Sequence, residues 1–498
     1  MEKVLIALDQ GTTSSRAVVF SAWGQVIASH NEEFPQHYPH PGWVEHDPKD
    51  ILTTQVSALR EAVRISGVDV GDIAAIGITN QRETTFLWDR ETGECVGNAI
   101  VWQCRRTSQI VDQLVRDGHG DMIREKTGLV PDAYFSGTKL KWMLDYYNLR
   151  ERAERGELCF GTADSFLCWN LVEGRPHVTD ATNAGRTMLF NLEKQDWDEE
   201  LLRLMDIPRA CLPNVVDTAG MIGLLDPAIL GRAIPVTAMA GDQHASLFGQ
   251  ACLKTGDVKN TYGTGCFMLM NTGDRPVRSR NGLLTTMAWR IDGKPTFALE
   301  GSVFMGGATI QWLRDELKII HAASESESLA QSVPSTGGVY LVPAFTGLGA
   351  PWWDMYSRGT LVGMTRGTGR AHLVRAALEA IAYQSADLME AMIRDCGSRP
   401  DHLQVDGGAS ANSFLMQFQA DITGIQVVRP SVLETTALGA ALLAGLGAGL
   451  YKNLEETAAV WQKDLVYSPR MDEATRILNL KGWHKAVERS RDWVEHER

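Results

Sequence analysis

Asp9, Gly11 and the hydroxyl run Thr12-Thr13-Ser14-Ser15 lie between two apolar segments, "VLIAL" and "AVVF", and Arg16 opens the second. These types suit phosphate. Glycine lets backbone approach a ligand closely, and successive turn N–H groups form an anion nest. Thr12, Thr13 and Ser14 add hydroxyl donors, and Arg16 adds a planar fork of charge that matches phosphate. Asp9 alone would repel a phosphate; it makes sense if a Mg2+ ion stands between them, usually through water. Turn geometry also accounts for an acid and hydroxyls here, so the hairpin by itself leaves both readings open.

Three further stretches carry related chemistry. "IPVTAMAGDQHASLFG" puts Asp242 at the end of an apolar strand, where open α/β folds place their reactive groups. "YGTG" at 262–265 is a second glycine-rich hairpin, with a threonine able to face phosphate. "LQVDGGASANSFLMQF" sets Gly407-Gly408 between a strand and a helix starting near Asn412, and glycine leaves room there for a flat base. A P-loop needs GxxxxGK[ST], which the chain lacks. A Rossmann site needs strand, glycine-rich turn, helix, whereas both hairpins here read strand, turn, strand.

The elements that must position these residues repeat. After the first hairpin a third strand near Gln25–Ser29 is predicted beyond the Trp23-Gly24 turn. A helix then starts with Asp47 as N-cap and Pro48 in its first turn, and the strand "IAAIGIT" follows. From Val258 the order recurs: hairpin, two strands around Asp292-Gly293, then a helix in "MGGATIQWLRDELKII". Two domains of like topology are expected, divided near residue 250. The helix His372–Cys396 places Val374, Leu378, Ile381, Leu388 and Met392 on one face, which makes it scaffold.

The 498-residue length agrees with at least two domains. A net charge of −13 argues against a nucleic-acid partner. Asp9 interrupts the first apolar run, so no secretory signal is expected, and Ala437–Leu450 is too short to cross a bilayer. Eight scattered cysteines without a CxxC pair suggest reduced thiols in a cytoplasm. His30, His37, His40 and His46 lie in a loop-like segment and are not read as a metal site.

Taken together, the Asp9 hairpin, Asp242, the Gly-Thr-Gly hairpin and Asp-Gly-Gly resemble the phosphate, phosphate and adenosine motifs of the actin-like ATPase superfamily. Within it the whole chain resembles the FGGY carbohydrate kinases, and among them those that act on glycerol. "YFSGTKLKWMLDY" is similar to one family signature, although Tyr146 stands where Asn or His is usual. "GTLVGMTRGTGRAHLVRAALE" fits the other. "PGWVEHDP", "NQRETT", "AIVWQCRRT" and "VDGGASAN" agree, and His244 after Gln243 is a modest departure.

The resemblance implies an α/β fold of two similar actin-like, ribonuclease H-like domains, each a mixed sheet with flanking helices, around a central cleft. Residues 1–250 would hold glycerol and the Mg/phosphate hairpin, and 251–498 would hold ATP. It implies ATP-dependent phosphorylation of glycerol, with Asp242 as general base. Arg82, Glu83, Tyr134 and Gln243 would meet the hydroxyls, while Trp102 and Phe267 wall the carbon chain. Thr12, Thr13, Ser14 and Arg16 would face the phosphates and Thr264 the γ-phosphate. Gly306, Gly307 and Gln311 would line the nucleotide face, Gly408 and Asn412 the adenosine, and Asp9 would orient Mg2+. It also implies a cytoplasmic homo-oligomer, dimer or tetramer. The rival readings are another FGGY sugar kinase, acting on xylulose or gluconate, and an actin-like switch ATPase. Some bacterial family members are inhibited by fructose 1,6-bisphosphate at a glycine-rich loop with an arginine one spacer after a Gly. The matching stretch, "LLDPAILGRAIPV", has Gly231 directly before Arg232, so weak or absent inhibition is expected.

Overall fold

Val4 to Leu8 are apolar without interruption, and strand β1 (Val4–Gln10) is buried on both faces. A run of this kind needs cover on two sides. Gly11–Thr13 turn the chain into β2 (Ser14–Ser21), which pairs antiparallel with β1 and with β3 (Val26–Glu33). The register sets Asp9 opposite Arg16. The structure, a computed structural model, describes residues 3–494. Helix α1 (Pro48–Ser66) starts as predicted: the Asp47 carboxylate accepts from the Lys49 N–H at 2.8 Å, and Gly67 ends the helix at φ 65°. β4 (Ile73–Asn80) then lies parallel to β1.

The remaining strands of this sheet are β5 (Ala219–Leu224), β6 (Pro235–Gly241), β7 (Val258–Tyr262), β8 (Cys266–Gly273), β9 (Leu284–Ile291), β10 (Lys294–Val303), β11 (His402–Asp406), β12 (Gln426–Pro430) and β13 (Lys463–Tyr467). Among the described residues their order is β13-β12-β11-β7-β8-β10-β9-β5-β6-β4-β1-β2-β3. The five strands β3-β2-β1-β4-β6 and the five strands β10-β8-β7-β11-β12 share one pattern: two antiparallel pairings, then two parallel ones. The second set departs from a simple meander. β8 pairs with β10, and β9 lies on the far side of β10, joined to it by a tight turn at Asp292-Gly293, both at positive φ. There Ile291 meets Ala219 of β5, so the two half-sheets run on as one.

The main helices beyond α1 are α2 (Ser136–Tyr146), α3 (Asp242–Gly249), α4 (Ala308–Asp315), α5 (Arg370–Cys396), α6 (Ser413–Thr423) and α7 (Thr435–Gly447). α4 is shorter than the predicted helical stretch. α5 is buried over more than one face, because Ala376, Glu379, Gln384 and Ser385 are covered as well as the predicted apolar positions. α3 and α7 cross with their backbones in contact. A Cβ on Gly439 would overlap the Ala245 carbonyl, and one on Gly249 would overlap that of Thr435, so only glycine permits the approach. α7 lies beyond residue 250 yet covers the first half's strands: Ala440, Ala441 and Ala444 share a buried cluster with Leu5, Ala7, Ala238 and Ala240. That accounts for the apolar run Ala437–Leu450. Among the described residues no helix is long and apolar enough to cross a membrane. In the histidine-rich segment, burial lowers the His46 pKa to about 3, and its Nε2 lies 2.7 Å from Gln36 Oε1.

Candidate active site

The Asp9 hairpin is tied together by charge. Arg16 Nη2 donates to Asp9 Oδ2 at 3.1 Å and also pairs with Glu434. Burial raises the Asp9 pKa; Arg16 opposes this, and the nearby charges of Asp242 and Glu434 add to it. A cation beside Asp9 would relieve that excess of negative charge, so the residues fit a Mg2+ ion. Among the described residues no group of three or more His, Cys, Asp or Glu converges as a metal cage. A Mg2+ held by one carboxylate, water and phosphates needs none. Thr12 Oγ1 accepts from Trp102 Nε1 at 3.0 Å, which joins the hairpin to the aromatic wall. Thr13 is exposed, and Ser14 is half-buried at the start of β2.

Arg82 and Glu83 follow β4 directly, and Glu83 adopts φ 61°, a left-handed conformation that costs a non-glycine residue energy. Arg82 is a hub. Its Nη1 and Nη2 donate to Glu300 at 2.6 and 3.1 Å, its Nε lies 3.2 Å from Asp242 Oδ1, and Nη2 reaches the Tyr134 hydroxyl at 3.4 Å. Glu83 Oε1 accepts from Arg186 Nε at 2.6 Å, and Arg186 Nη2 donates to Glu300 at 3.0 Å. The Arg186 guanidinium also lies over the Tyr134 and Phe135 rings, and the Trp102 and Tyr134 rings meet edge to face at 5.6 Å. Burial would raise the Glu300 pKa, but Arg186 and Arg82 hold it well below the usual carboxylate range. Burial raises Tyr134, keeping a neutral hydroxyl, and burial together with Arg82 keeps His244 neutral.

Asp242 opens α3, where the helix N-terminus favours an anion. Its Oδ1 accepts the Gln243 N–H at 2.7 Å. Behind it the Gly241 N–H donates to Thr182 Oγ1 at 2.9 Å, which fixes the strand end. Gln243 Oε1 accepts from Lys259 Nζ at 2.6 Å, leaving its NH2 group to offer a ligand. Phe267 is half-buried on β8, opposite Ser302 of β10.

In the second half of the chain the two glycine loops that the resemblance assigns to nucleotide are locked together. The Gly306 N–H donates to Thr264 O and the Gly307 N–H to Gly263 O, each at 2.8 Å. These N–H groups therefore brace the hairpin and are not free for phosphate, while the Thr264 and Gln311 side chains are exposed. Gly407 has φ 84°, and a Cβ there would sit 2.6–2.9 Å from Tyr262 backbone atoms. Gly408 is exposed beside it. Asn412 serves the scaffold. Its Oδ1 caps α6 through the Leu415 N–H at 2.9 Å, and its Nδ2 donates to Ser326 at 3.2 Å.

Arg82, Glu83, Trp102, Tyr134, Asp242 and Gln243 thus form one linked group. Glu300, Arg186 and Lys259 were not anticipated. The available signal was a lone charge in an apolar run, as in "FALEGSV", since a buried charge demands a partner.

The family model for the N-terminal domain of the FGGY family of carbohydrate kinases matches residues 4–249, and the one for the C-terminal domain matches 258–448. A glycerol kinase of Symbiobacterium thermophilum is 58% identical over 491 residues, 98% of this chain and 99% of its own. A glycerol kinase of Plasmodium falciparum, solved with ADP, superposes with TM-score 0.92 at 34% identity, covering 98% of both chains. A xylulose kinase of Lactobacillus acidophilus shares the fold, with TM-score 0.88 at 24% identity over 98% of this chain and 97% of its own. With both domain models matched in order, the first spanning Asp9, Arg82 and Asp242, this chain belongs to the FGGY family of carbohydrate kinases.

Proposed function

We propose that the protein transfers the γ-phosphoryl group of ATP to a terminal hydroxyl of glycerol, giving sn-glycerol 3-phosphate and ADP, as an ATP:glycerol 3-phosphotransferase. The observation that carries this reading is the meeting of Arg82, Asp242 and Tyr134 at one point, walled by Trp102. Full-length identity of 58% to a glycerol kinase supports the choice of polyol. Residues 1–250 serve as the glycerol-holding half and 251–498 as the ATP-holding half.

Asp242 takes the proton of the attacking hydroxyl as its oxygen approaches phosphorus. Arg82 holds Asp242 and donates toward the polyol, Glu83 and Gln243 fix the other hydroxyls, and Trp102 and Phe267 cover the C–H groups. In phosphoryl transfer the protein chiefly positions reactants and stabilises spreading charge. Asp9 would hold Mg2+ through water, and the bound ion neutralises charge on the phosphates. Approach of the two halves excludes water, which otherwise competes as nucleophile. A use of ATP and eight unpaired cysteines support a cytoplasmic enzyme.

The test is ADP release measured with glycerol, dihydroxyacetone, xylulose and gluconate in turn. Glycerol is expected to give the highest kcat/KM. A pentulose or gluconate used more efficiently overturns the substrate, and ADP release indifferent to any polyol supports a switch ATPase instead.

A further inference from the structure

Two buried charges from the second half of the chain grip substrate-side residues of the first. Glu300, on β10, holds Arg82 by two nitrogens and Arg186 by a third, at 2.6, 3.1 and 3.0 Å. Lys259, on β7, donates to Gln243 Oε1 at 2.6 Å and to Thr261 Oγ1 at 2.8 Å. Both side chains are fully covered. The two strands have a second property in common. β7 runs into the Gly263-Thr264-Gly265 hairpin, and β10 runs into the loop with Gly306 and Gly307. Those loops are hydrogen-bonded to each other. Whatever moves the nucleotide loops along their strands therefore moves the Glu300 carboxylate and the Lys259 ammonium.

Stability alone is a poor account of these contacts. A buried ion pair seldom stabilises a fold more than apolar packing of the same volume. A two-pronged guanidinium–carboxylate contact does fix the plane of the arginine. It leaves Arg82 Nε directed at Asp242. In the same way, a carbonyl oxygen held by Lys259 turns the Gln243 amide so that its NH2 is the group on offer.

We propose that Glu300 and Lys259 are positioning residues that couple the polyol subsite to the two nucleotide loops, by setting Arg82 and Gln243 from the strands that carry those loops. The proposal rests on reading the Arg82–Asp242 site as a polyol subsite. Neither residue needs to touch the polyol, and the coupling is reciprocal: nucleotide sets glycerol affinity, and glycerol sets nucleotide affinity by the same factor.

The test is calorimetric titration of glycerol into the full-length protein, with and without saturating Mg-ADP, for wild type, Glu300→Gln and Lys259→Met. Wild type is expected to change its glycerol affinity by about 5-fold or more when Mg-ADP is present, the usual lower range of coupling between sites. Glu300→Gln removes the charge that aims Arg82, and should weaken glycerol binding by about 10-fold and bring the coupling ratio close to one. Lys259→Met should lower the ratio in the same direction, and it carries the test if the first variant does not fold. A purely structural role would lower the melting temperature and leave the ratio intact. An unchanged ratio in a folded variant, or a wild type whose glycerol affinity ignores Mg-ADP, overturns the proposal. A wild type that binds no glycerol at all overturns the reading of the subsite, and the coupling with it.

Discussion

Replacing Asp242 by asparagine separates the chemistry of this site from its scaffold. The Asp242 side chain is 32% exposed, against 2% for Arg82 and none for Glu300, so it is the part of the charge cluster that a ligand can reach from solvent. Asparagine keeps the shape and an oxygen that can accept from Arg82 Nε, now 3.2 Å away. It cannot take up a proton. Within the cluster Arg82 and Arg186 face Glu83, Glu300 and Asp242, and removing the last leaves two cations against two anions. No guanidinium is stranded, so stability should change by no more than about 1 kcal/mol, the net worth of an ordinary hydrogen bond. The lost base should lower kcat by about 10²–10⁴-fold, or roughly 2.7–5.5 kcal/mol of barrier. Glycerol affinity should fall by less than about 10-fold, because a neutral acceptor remains. ADP release, glycerol calorimetry and thermal melting on one preparation measure all three. Turnover near that of wild type refutes Asp242 as the base, and a loss of glycerol binding as large as the loss of kcat refutes the separation itself.

Gly439→Ala should destabilise the fold by about 1–3 kcal/mol or more, since its Cβ forces α3 and α7 apart, whereas Gly408→Ala, with open space around it, should cost under about 0.5 kcal/mol; urea midpoints compare them. Burial lowers the Lys259 pKa from its unfolded value to about 8, so the folded state binds fewer protons than the unfolded state above that pH. Its contribution to stability is therefore lost as pH falls through about 8 and recovered toward the unfolded value of 10.5, and the melting temperature of wild type relative to Lys259→Met should rise from pH 7 to pH 10; a flat difference contradicts this. Fructose 1,6-bisphosphate at millimolar concentration should leave activity unchanged, because Asp226 caps the short helix Pro227–Leu230, Arg232 directly follows Gly231, and the neighbouring Arg60 is engaged by the carbonyls of Ala228 and Ile229. Saturable inhibition at micromolar concentration refutes that reading.

What the sequence made legible was local. The turn chemistry of Gly11–Ser14 and Gly263–Gly265, the Asp47 cap and the Asp292-Gly293 hairpin each act within a few residues, and each formed as predicted. Asp242 was legible because it ends an apolar strand, whereas Arg82, beyond the end of "IAAIGIT", reads equally as a loop charge and was singled out by the family resemblance alone. Pairing across long separations was not legible. Nothing local directs β8 past β9 to β10, and nothing within α7 identifies the first half's sheet as its partner. The same limit hid the inner ring of the site. A glutamate in "FALEGSV" announces that a cation must lie opposite, because an unpaired carboxylate costs several kcal/mol when buried. It does not say which cation. The structure supplies two, Arg82 and Arg186, each more than 100 residues earlier in the chain. On the proposed function, the locally legible residues meet the ligands, and the pairing of Glu300 with Arg82 and Arg186 sets how they are aimed. Substitutions at Glu300 should therefore change how strongly glycerol and nucleotide sense each other, rather than which ligand is bound.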